Sequence, residues 1–370
     1  MAVTISTVFD NARTAFGKEI LPEVQDQWMQ PQPLLAGLFG TLAKGGVSLE
    51  MGSKQFGELS RKPNEYVLRG TDTFQQRVEF TRRTGGTQGT GGIRPKSNTE
   101  TQILTMAEWR LTEDTQELAT SRANWQIVKS LAAAGNASGA GGKMLNLMKT
   151  LSQNGFNTMA DRVTSNLVGL NTDPAAGLLS FSAGIGAATT DNSTYGGILR
   201  SSNTWWRGNY ATYDDTKVLD DSDADHISKV VREQVNTIKN NGALVNDIMI
   251  VMGSSAHNAY QQWKQGISAP TTSGDGTSVA HYTDSTGRNI PGFSGYYFGP
   301  VPIIEEPNMS AWKIITYDSK STRIIPLAGA IFEVDEWKFM ENATGVYSQI
   351  ELMAQLVVTN PRRNYIELDS

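Results

Sequence analysis

The sequence predicts an α+β fold in which one long helix lies across β-structure. From about residue 143 to 170 the apolar residues recur at helical spacing, as in an amphipathic helix. A helix, strand, helix pattern follows between residues 224 and 266, and β-runs fill the segment from 296 to 368. With 39% hydrophobic and 19% charged residues, the 370-residue chain can form a sizeable core.

The overall composition excludes several classes of protein. The net charge of −5 gives no general attraction to nucleic acid, and the absence of cysteine excludes disulfides and Cys-ligated metal. No apolar run approaches the length of a membrane span, so we expect no membrane partner. The N-terminus lacks a secretory signal pattern, which predicts a chain made and kept in the cytoplasm or in something assembled there.

The first 61 residues predict an arm that cannot bury its apolar side chains without contacting another part of the structure. Phe9, Ala12, Phe16 and Ile20 are spaced as on one face of a helix, and Pro22 ends or kinks that helix. Glycines then recur without a clean period up to Leu59, which favours an irregular docking segment over a separate domain.

Residues 62–113 predict a long hairpin. Two β-like runs, around Thr73–Arg82 and Thr101–Leu111, flank the glycine-rich tip "TGGTQGTGG". A hairpin is only marginally stable alone in water, so it should lie on another element or subunit. Its candidate contact residues are basic: Arg77, Arg82, Arg83, Arg94 and Lys96. A solvated, positively charged loop is the simpler interpretation for a lone domain.

Residues 114–170 predict two helices. The first, "RANWQIVKSLAAAG", should end at Gly135, and the small-residue segment "NASGAGG" should form a flexible linker. The second should run from about Lys143 to Leu170. Its apolar stripe consists of Met144, Met148, Leu151, Phe156, Met159, Val163 and Leu167.

The segment from residue 171 to 330 predicts a mixed α/β unit. The helix "ADHISKVVREQVNTIKNNG" precedes the strand "DIMIVMG", and the helix "SSAHNAYQQWKQG" follows with Ser254 as its expected N-cap. A polar loop then leads to β-runs that close the chain, and no internal repeat is visible.

No catalytic, cofactor-binding or metal-binding residue is predicted. His226, His257 and His281 lie far apart without paired-ligand spacing, so each is expected to have a surface or capping role. The segment "GNASGAGGKM" departs from a phosphate-binding loop at Ala137 and Met144. The sequence also contains no GxSxG nucleophile elbow.

The acidic cluster "DDSDAD", residues 220–225, has the alternating spacing of a calcium loop. His226 stands where that loop needs glycine, and Arg232 stands where it needs a bidentate glutamate. The preferred interpretation is that these carboxylates cap the helix that starts near His226.

The stretch "YGGILRSSNTWWRGNY", residues 195–210, places two tryptophans between arginines. In an extended segment Trp205 and Trp206 would point to opposite faces, one into the core and one toward a loop or neighbour. We expect a structural anchor, with Arg200 and Arg207 held by carboxylates or backbone carbonyls. The alternative is an aromatic platform for sugar or a base. A carbohydrate-binding module or glycosidase could offer Asp214, Asp215 and Asp220 as carboxylates, although nothing pairs them at a defined separation.

The string "Y-G-G-I-x-R-x-x-N-T-W-W-R" resembles the major capsid proteins of tailed bacteriophages with the HK97 fold. The ending "QLVVTNPRRNYIEL", residues 355–368, is similar to the "Q-L-x-x-x-N-P-R-R" ending of many of these proteins. Asn360, Pro361, Arg362 and Arg363 thereby become candidate anchor or interface residues. The two arginines are expected to pair with carboxylates across a subunit contact, although contact with packaged DNA is an alternative.

The resemblance implies an HK97-like fold of five parts. These are an N-terminal arm (1–61), an extended E-loop hairpin (62–113), a peripheral domain with a spine helix (114–170), an axial domain (171–330), and C-terminal strands returning to the peripheral domain (331–370). It implies no enzyme and no cofactor, but a subunit of an icosahedral head.

The partners that the resemblance implies are those of a phage head. The chain would assemble with itself into pentamers and hexamers, in the host cytoplasm, into a virion capsid around double-stranded DNA. A portal protein is a further expected partner, whereas the sequence leaves open whether a decoration protein binds. A separate scaffolding protein is implied because no segment precedes the arm.

Overall fold

The computed structural model describes most of the chain beyond the N-terminal region. The described residues are 5–16, 34–35, 38, 41–42, 49–50, 72–79, 104–134, 136–169, 177–186, 193–220, 222–267, 280–283, 289–339 and 345–369. The predicted hairpin tip, with Arg82, Arg83, Arg94 and Lys96, lies outside these residues, as does Ile20 of the arm.

The arm begins with helix α1 (Ile5–Ala15), as its spacing predicts. Phe9, Ala12 and Phe16 are buried and belong to the same core as the long helix described below. Strands β1 (Thr41–Leu42) and β2 (Leu49–Glu50) form a small antiparallel pair. The first helix of the arm is thus attached to the body of its own subunit.

The predicted hairpin consists of strands β3 (Thr73–Glu79) and β4 (Leu104–Arg110). They pair antiparallel from Thr73 opposite Arg110 to Glu79 opposite Leu104. Val78, Ala107 and Trp109 are buried on one face, whereas Arg77 on β3 is exposed. The base of the hairpin therefore rests on its own chain.

The predicted linker before the long helix is wrong. After strand β5 (Thr112–Ala119) and helix α2 (Arg122–Ala133), helix α3 runs from Ala137 to Val168 and includes the glycines 139, 141 and 142. Asn136 caps it, because its Oδ1 accepts from the Gly139 N–H at 2.8 Å. Burial of Ala140 in the core offsets the low helix propensity of the glycines.

Helix α3 is 32 residues long, which corresponds to about 48 Å. Its predicted stripe faces the main core: Met144, Met148, Phe156, Met159, Val163 and Leu167 are fully buried, and Leu151 is half-buried. This helix is the rod that the sequence predicts.

The smaller sheet packs against α3. Its strands are β14 (Thr322–Val334), β16 (Val346–Val358), β15 (Lys338–Phe339) and β5, and all the others pair with β16. Ile350, Leu352 and Ala354 of β16 alternate into the core below the helix.

Among the described residues the larger sheet has seven strands. Their order is β10 (Ala280–Thr283), β11 (Asn289–Phe298), β12 (Val301–Glu305), β9 (Ile248–Met252), β13 (Ile314–Asp318), β17 (Asn364–Asp369) and β8 (Asn209–Tyr213). Helices α5 (Ile227–Asn240) and α6 (Ser254–Ile267) flank β9 in sequence, so the predicted helix, strand, helix unit is confirmed.

Strand β9 is buried on both faces. Ile248, Ile250 and Met252 belong to the core that contains residues of α5 and α6, whereas Met249 and Val251 belong to the core of α3. The larger sheet thus separates two hydrophobic cores, which explains why its central strand is a continuous apolar run.

The expectation that residues 331–370 return together to the α3 side is wrong for the last strand. β17 lies in the larger sheet, antiparallel to β13 and parallel to β8. Tyr365 faces one core and Ile366 faces the other, so β17 contributes apolar side chains to both faces of this sheet. Conversely, β14 begins at Thr322 in the smaller sheet, inside the predicted axial segment.

A third, smaller core lies under the hairpin. It is built around the short helix α4 (Phe181–Ile185), the two-residue strands β6 (Thr194–Tyr195) and β7 (Ile198–Leu199), and the ends of β14 and β16. None of the helices in the described part of the chain combines the length and apolar character needed to cross a bilayer.

Candidate functional site

The two glycines that follow Tyr195 form the turn between β6 and β7. Gly196 and Gly197 have φ angles of 58° and 74°, the left-handed conformation that glycine adopts without strain. A Cβ on Gly196 would lie 3.0 Å from the Trp109 ring. The turn therefore requires glycine for its conformation and for its close approach to the hairpin.

The tryptophan pair lies in a 3₁₀ turn (Thr204–Trp206), so the expectation of an extended segment is wrong. The Trp206 N–H donates to the Asn203 carbonyl oxygen at 2.8 Å and closes the turn. Trp206 is fully buried, and its Nε1 donates to the Tyr195 carbonyl oxygen at 2.9 Å. Trp205 is half-buried, with its ring centroid 5.4 Å from that of Trp206.

Arg200 is fully buried and is held by backbone carbonyls. Its Nη2 donates to the carbonyl oxygens of Ala183 and Gly184 at 2.7 and 2.8 Å, and its Nε donates to that of Trp206 at 3.2 Å. Its Nη1 donates to Ser193 Oγ at 2.9 Å. These oxygens stabilise the buried charge and tie three segments of chain together. Arg207 lies half-buried after the turn.

Gln355 is the polar residue at the start of the second string, and its side chain is fully buried in β16. Its Oε1 accepts from the Leu179 N–H at 2.9 Å. Its Nε2 donates to the Arg110 carbonyl oxygen at 3.1 Å and to Thr112 Oγ1 at 2.9 Å. Gln355 thus connects the base of the hairpin to the smaller sheet.

The "NPRRN" part of the second string forms a second 3₁₀ turn (Pro361–Arg363) between β16 and β17. Pro361 is buried, and the Asn360 carbonyl oxygen accepts from the Arg363 N–H at 3.1 Å. Arg363 Nη1 lies 3.4 Å from Asp318 Oδ2 of the same subunit, whereas the Arg362 side chain is exposed. The expectation that Arg363 pairs with a carboxylate across a subunit contact is therefore wrong, because its partner Asp318 lies in the same chain.

Asn364 follows that turn and is fully buried. Its Oδ1 accepts from the Asp318 N–H at 3.0 Å and from Thr322 Oγ1 at 2.9 Å. Its Nδ2 donates to the Asn360 carbonyl oxygen at 3.0 Å. A buried amide satisfied in this way fixes the angle between the two sheets where the chain passes from one to the other.

The two strings of sequence meet in the folded chain. The Tyr195 hydroxyl donates to the Leu356 carbonyl oxygen at 3.1 Å and accepts from the Val358 N–H at 2.9 Å. Burial raises the pKa of Tyr195 well above its ordinary value, so the hydroxyl stays protonated. We call the contact region of residues 195–210 and 355–364 the junction.

A third contact closes the junction at Gly208. A Cβ at this residue would lie 2.6 Å from the Ile185 carbonyl oxygen and 2.9 Å from that of Pro361. The next residue, Asn209, donates through Nδ2 to the Arg362 carbonyl oxygen at 2.8 Å. Glycine at 208 therefore allows three backbone segments to approach one another.

Lys313 connects the end of helix α3 to the larger sheet. It is buried, and its Nζ donates to the carbonyl oxygens of Val168 and Gly169 at 2.6 and 3.3 Å and to Ser182 Oγ at 3.1 Å. A lysine at a helix C-terminus interacts favourably with the helix dipole. Burial lowers the pKa of Lys313 to about 8.

A cleft of about 690 Å³ opens beside the junction. Its basic lining residues are Arg77 from the hairpin, Lys320, Arg362 and Arg363, and the Trp205 ring forms part of its wall. Arg77 is the one hairpin residue of the predicted basic contact set that lies within the described part of the chain.

The aspartates that the glycosidase alternative would need as catalytic carboxylates lie in local turns. Asp214 Oδ1 accepts from the Thr216 N–H at 3.1 Å, and Asp220 Oδ1 accepts from the Ser222 N–H at 2.9 Å. Asp215 lies in the 3₁₀ turn that Asp214 caps. The predicted carboxylate cap of the following helix is wrong, because His226 Nδ1 accepts from the Ser228 N–H instead.

His257 is buried, contrary to the expected surface or capping role. Its Nδ1 lies 3.2 Å from Glu305 Oε2, and burial lowers the pKa of the imidazole. Ser254 is the first residue of α6 and not its cap. Among the described residues, no group of three or more His, Asp and Glu side chains is placed to hold a metal ion.

Sequence reasoning did not single out Tyr195, Gln355, Asn364 and Lys313 as site residues. The signal for Gln355 was present, since it is an amide within an apolar β-run, whereas Asn364 directly follows two arginines. Lys313 stands directly before the buried strand "IITYD". Their roles depend on contacts between distant segments, which periodicity cannot reveal.

Comparison with solved structures finds chains of phage capsids with a similar architecture. A chain of the cyanophage A-1(L) capsid asymmetric unit matches 83% of this chain and 90% of its own length, with a TM-score of 0.53 and 11% identity. This chain has the HK97-like phage capsid fold. A Mycobacterium phage Cain structure also matches, over 82% of this chain and 88% of its own, with a TM-score of 0.47 and 11% identity. No protein-family model and no curated protein matches the chain.

In this HK97-like fold the junction lies where the long helix, the hairpin base and both sheets come together. Its buried polar side chains are bonded to backbone groups, as Arg200, Gln355 and Asn364 show. Its geometry can hold the parts of the subunit at fixed angles. The accessible charged side chains lie beside the junction, in the basic cleft.

Proposed function

We propose that this chain is the major capsid protein of a tailed double-stranded DNA phage. The observation that carries the proposal is the match to the cyanophage A-1(L) capsid chain over most of both chains. In this function the chain assembles into pentamers and hexamers of an icosahedral head that encloses the genome. Its location is the virion capsid, after assembly in the host cytoplasm.

A structural, non-enzymatic role agrees with how the junction uses its residues. Trp206 and Arg200 are fully buried, and the guanidinium of Arg200 bonds to three backbone oxygens and to Ser193 Oγ. The two tryptophans do not form an open platform, since only Trp205 is partly accessible. These facts disfavour the carbohydrate-binding alternative.

The junction residues serve in this function as an anchor between the parts of the subunit. Trp206 and Arg200 stabilise the part of the junction beneath the hairpin. Asn360, Pro361 and Arg363 stabilise the turn through which the chain passes from one sheet to the other. Residues 1–61, 62–113, 114–170, 171–330 and 331–370 correspond to arm, E-loop, peripheral domain, axial domain and returning strands, except that β14 and β17 join the sheets described above.

The partners of such a shell include more than the chain itself. A scaffolding protein and a portal protein belong to head assembly, the packaged DNA contacts the inner surface without sequence preference, and a decoration protein can bind outside. Subunit contacts would be permanent, with roughly 2,000 to 5,000 Å² buried in each and much of the stability gained on assembly.

The test is to express the full chain, with and without a candidate scaffolding protein, and to examine it by sedimentation velocity and negative-stain electron microscopy. Regular shells, tubes or capsomer rings are expected. A compact monomer in every preparation would overturn the proposal.

Deletion of Thr84–Gly92 sharpens this test. The deletion should abolish assembly while the thermal unfolding of the isolated subunit stays cooperative, because the tip serves contacts between subunits. Sugar binding, measured in parallel by calorimetry, should be absent in both chains. Binding of sugar that survives the deletion, together with a monomeric full-length chain, would favour the carbohydrate-binding alternative.

A further inference from the structure

The cleft beside the junction is polar and basic, in a chain whose net charge is −5. Lys320 Nζ lies 2.7 Å from Asp247 Oδ2, and Arg363 pairs with Asp318. Arg77 and Arg362 form no ion pair with a described residue. The cleft therefore carries an excess of about two positive charges, and half-buried Trp205 adds an apolar patch to its wall.

An acidic turn follows strand β8. We define it as residues 214–220 and 222–225, which hold five aspartates and one lysine among the described positions. Lys217 pairs with Asp214 and Asp223, whereas Asp215 and Asp220 form no ion pair with a described residue. Leu219, beside Asp220, is 52% exposed. The turn thus presents an apolar side chain flanked by negative charge.

The cleft and the acidic turn lie at opposite ends of the same two strands. β8 and β17 run parallel, with Asn209 opposite Tyr365 and Tyr213 opposite Asp369. Arg362 and Arg363 precede the start of this pair, and the acidic turn follows its end. Five residues of strand span about 16 Å, so the turn of one chain does not reach its own cleft.

We propose that the basic cleft binds the acidic turn of a second copy of this chain. This inference rests on the proposed function, in which copies surround a common axis. Around such an axis each copy presents its acidic turn to the cleft of the next, so the contact is head-to-tail, and such contacts generate rings when the rotation closes. Leu219 packs on the Trp205 ring, Asp220 faces Arg362, and Asp215 faces Arg77. Charge sets the orientation and apolar burial supplies the affinity.

The absence of cysteine from the chain allows a direct test. The double variant Arg362→Cys/Asp220→Cys, assembled and treated with a short bismaleimide, should give a ladder of covalent multimers up to a closed ring on denaturing gels. Each single variant alone should give none, because a head-to-tail contact does not bring two identical residues together.

Several outcomes would overturn the inference. One is assembled particles whose double variant yields no multimers. A second is dimers from either single variant, which would indicate a symmetric contact. A third is protection of the Arg362→Cys thiol by a DNA oligonucleotide but not by assembly, which would assign the cleft to nucleic acid. Failure of every variant and of the parent chain to assemble would instead overturn the proposed function, and this inference with it.

Charge reversal gives an independent measurement on the parent sequence. Arg362→Glu and Asp220→Arg should each cause loss of fast-sedimenting particles, and the chain that carries both should recover them. Arg122→Glu, at an exposed position on α2, is the matched control and should assemble as the parent does. Equal loss in the double and single variants would contradict the pairing.

Discussion

The Tyr195 hydroxyl donates a hydrogen bond of 3.1 Å to the Leu356 carbonyl oxygen, across 161 residues of sequence. The same hydroxyl accepts from the Val358 N–H, so it forms hydrogen bonds with both a backbone carbonyl and a backbone N–H of β16. The turn that carries Tyr195 also holds Trp206 through the Tyr195 carbonyl oxygen. The two sequence strings that resemble capsid proteins are therefore one structural unit.

Tyr195→Phe tests this unit. Removal of the hydroxyl leaves the Val358 N–H and the Leu356 carbonyl without that partner in a buried site, so the free energy of unfolding should fall by about 1–3 kcal/mol. Chemical denaturation of the unassembled subunit measures it. Tyr347→Phe, on the same chain but exposed, should change it by less than about 0.5 kcal/mol. Equal effects would show that the hydroxyl contacts contribute little.

The sequence predicted elements whose signal is local. The spacing of Met144, Met148 and Phe156 indicated the long helix, and the apolar run around Ile250 indicated a buried strand. Both patterns reflect burial on a fixed period, which the folded chain retains.

The sequence did not predict features that depend on distant contacts. Nothing around Trp205 distinguishes a 3₁₀ turn from a strand, because the choice depends on burial of Trp206 beneath the hairpin. The sheet that β17 joins was likewise hidden, since a strand buried on both faces fits either sheet. In the candidate site, the buried role of Arg200 depends on carbonyls of Ala183 and Gly184, which the sequence does not place beside it.

Two glycine substitutions should change stability in opposite directions. Gly142 lies within helix α3, and a Cβ added to it would have nothing within 4 Å, so Gly142→Ala should raise the free energy of unfolding by about 0.5–1 kcal/mol. Gly208→Ala should lower it by about 1–3 kcal/mol, because its Cβ would meet backbone oxygens. Thermal unfolding of both variants measures the signs. A loss in Gly142→Ala would show that the segment is not helical in solution.

Glu367→Gln should change how stability depends on pH. Glu367 is buried in β17, where Gln234 Nε2 donates to it, and burial raises the pKa of its carboxyl from 4.5 to about 7. Between these values the folded chain binds more protons than the unfolded chain, so the free energy of unfolding falls as pH rises through this window. Glutamine stays neutral and should remove part of that fall.

Denaturation curves at a series of pH values from about 4.5 to 8 check this prediction. Burial also raises the pKa of Glu306 to about 7, so the variant should retain the part of the fall that Glu306 causes. The exposed Glu117→Gln serves as the control and should keep the full slope. An unchanged slope in Glu367→Gln would mean that this carboxyl is ionised in the folded state at ordinary pH.

Lys313→Met should remove a pH dependence of the opposite sign. Burial lowers the pKa of Lys313 from 10.5 to about 8, so between these values the unfolded chain binds more protons than the folded chain. The free energy of unfolding that this lysine contributes therefore rises with pH across the window and is constant below it. Methionine does not titrate, so the variant should lose that rise between about pH 8 and 9.5, below the range in which tyrosines begin to ionise. The exposed Lys239→Met should keep it. If parent and Lys313→Met chains instead show parallel curves, the ammonium group retains an ordinary pKa and helix α3 is not held through a desolvated charge.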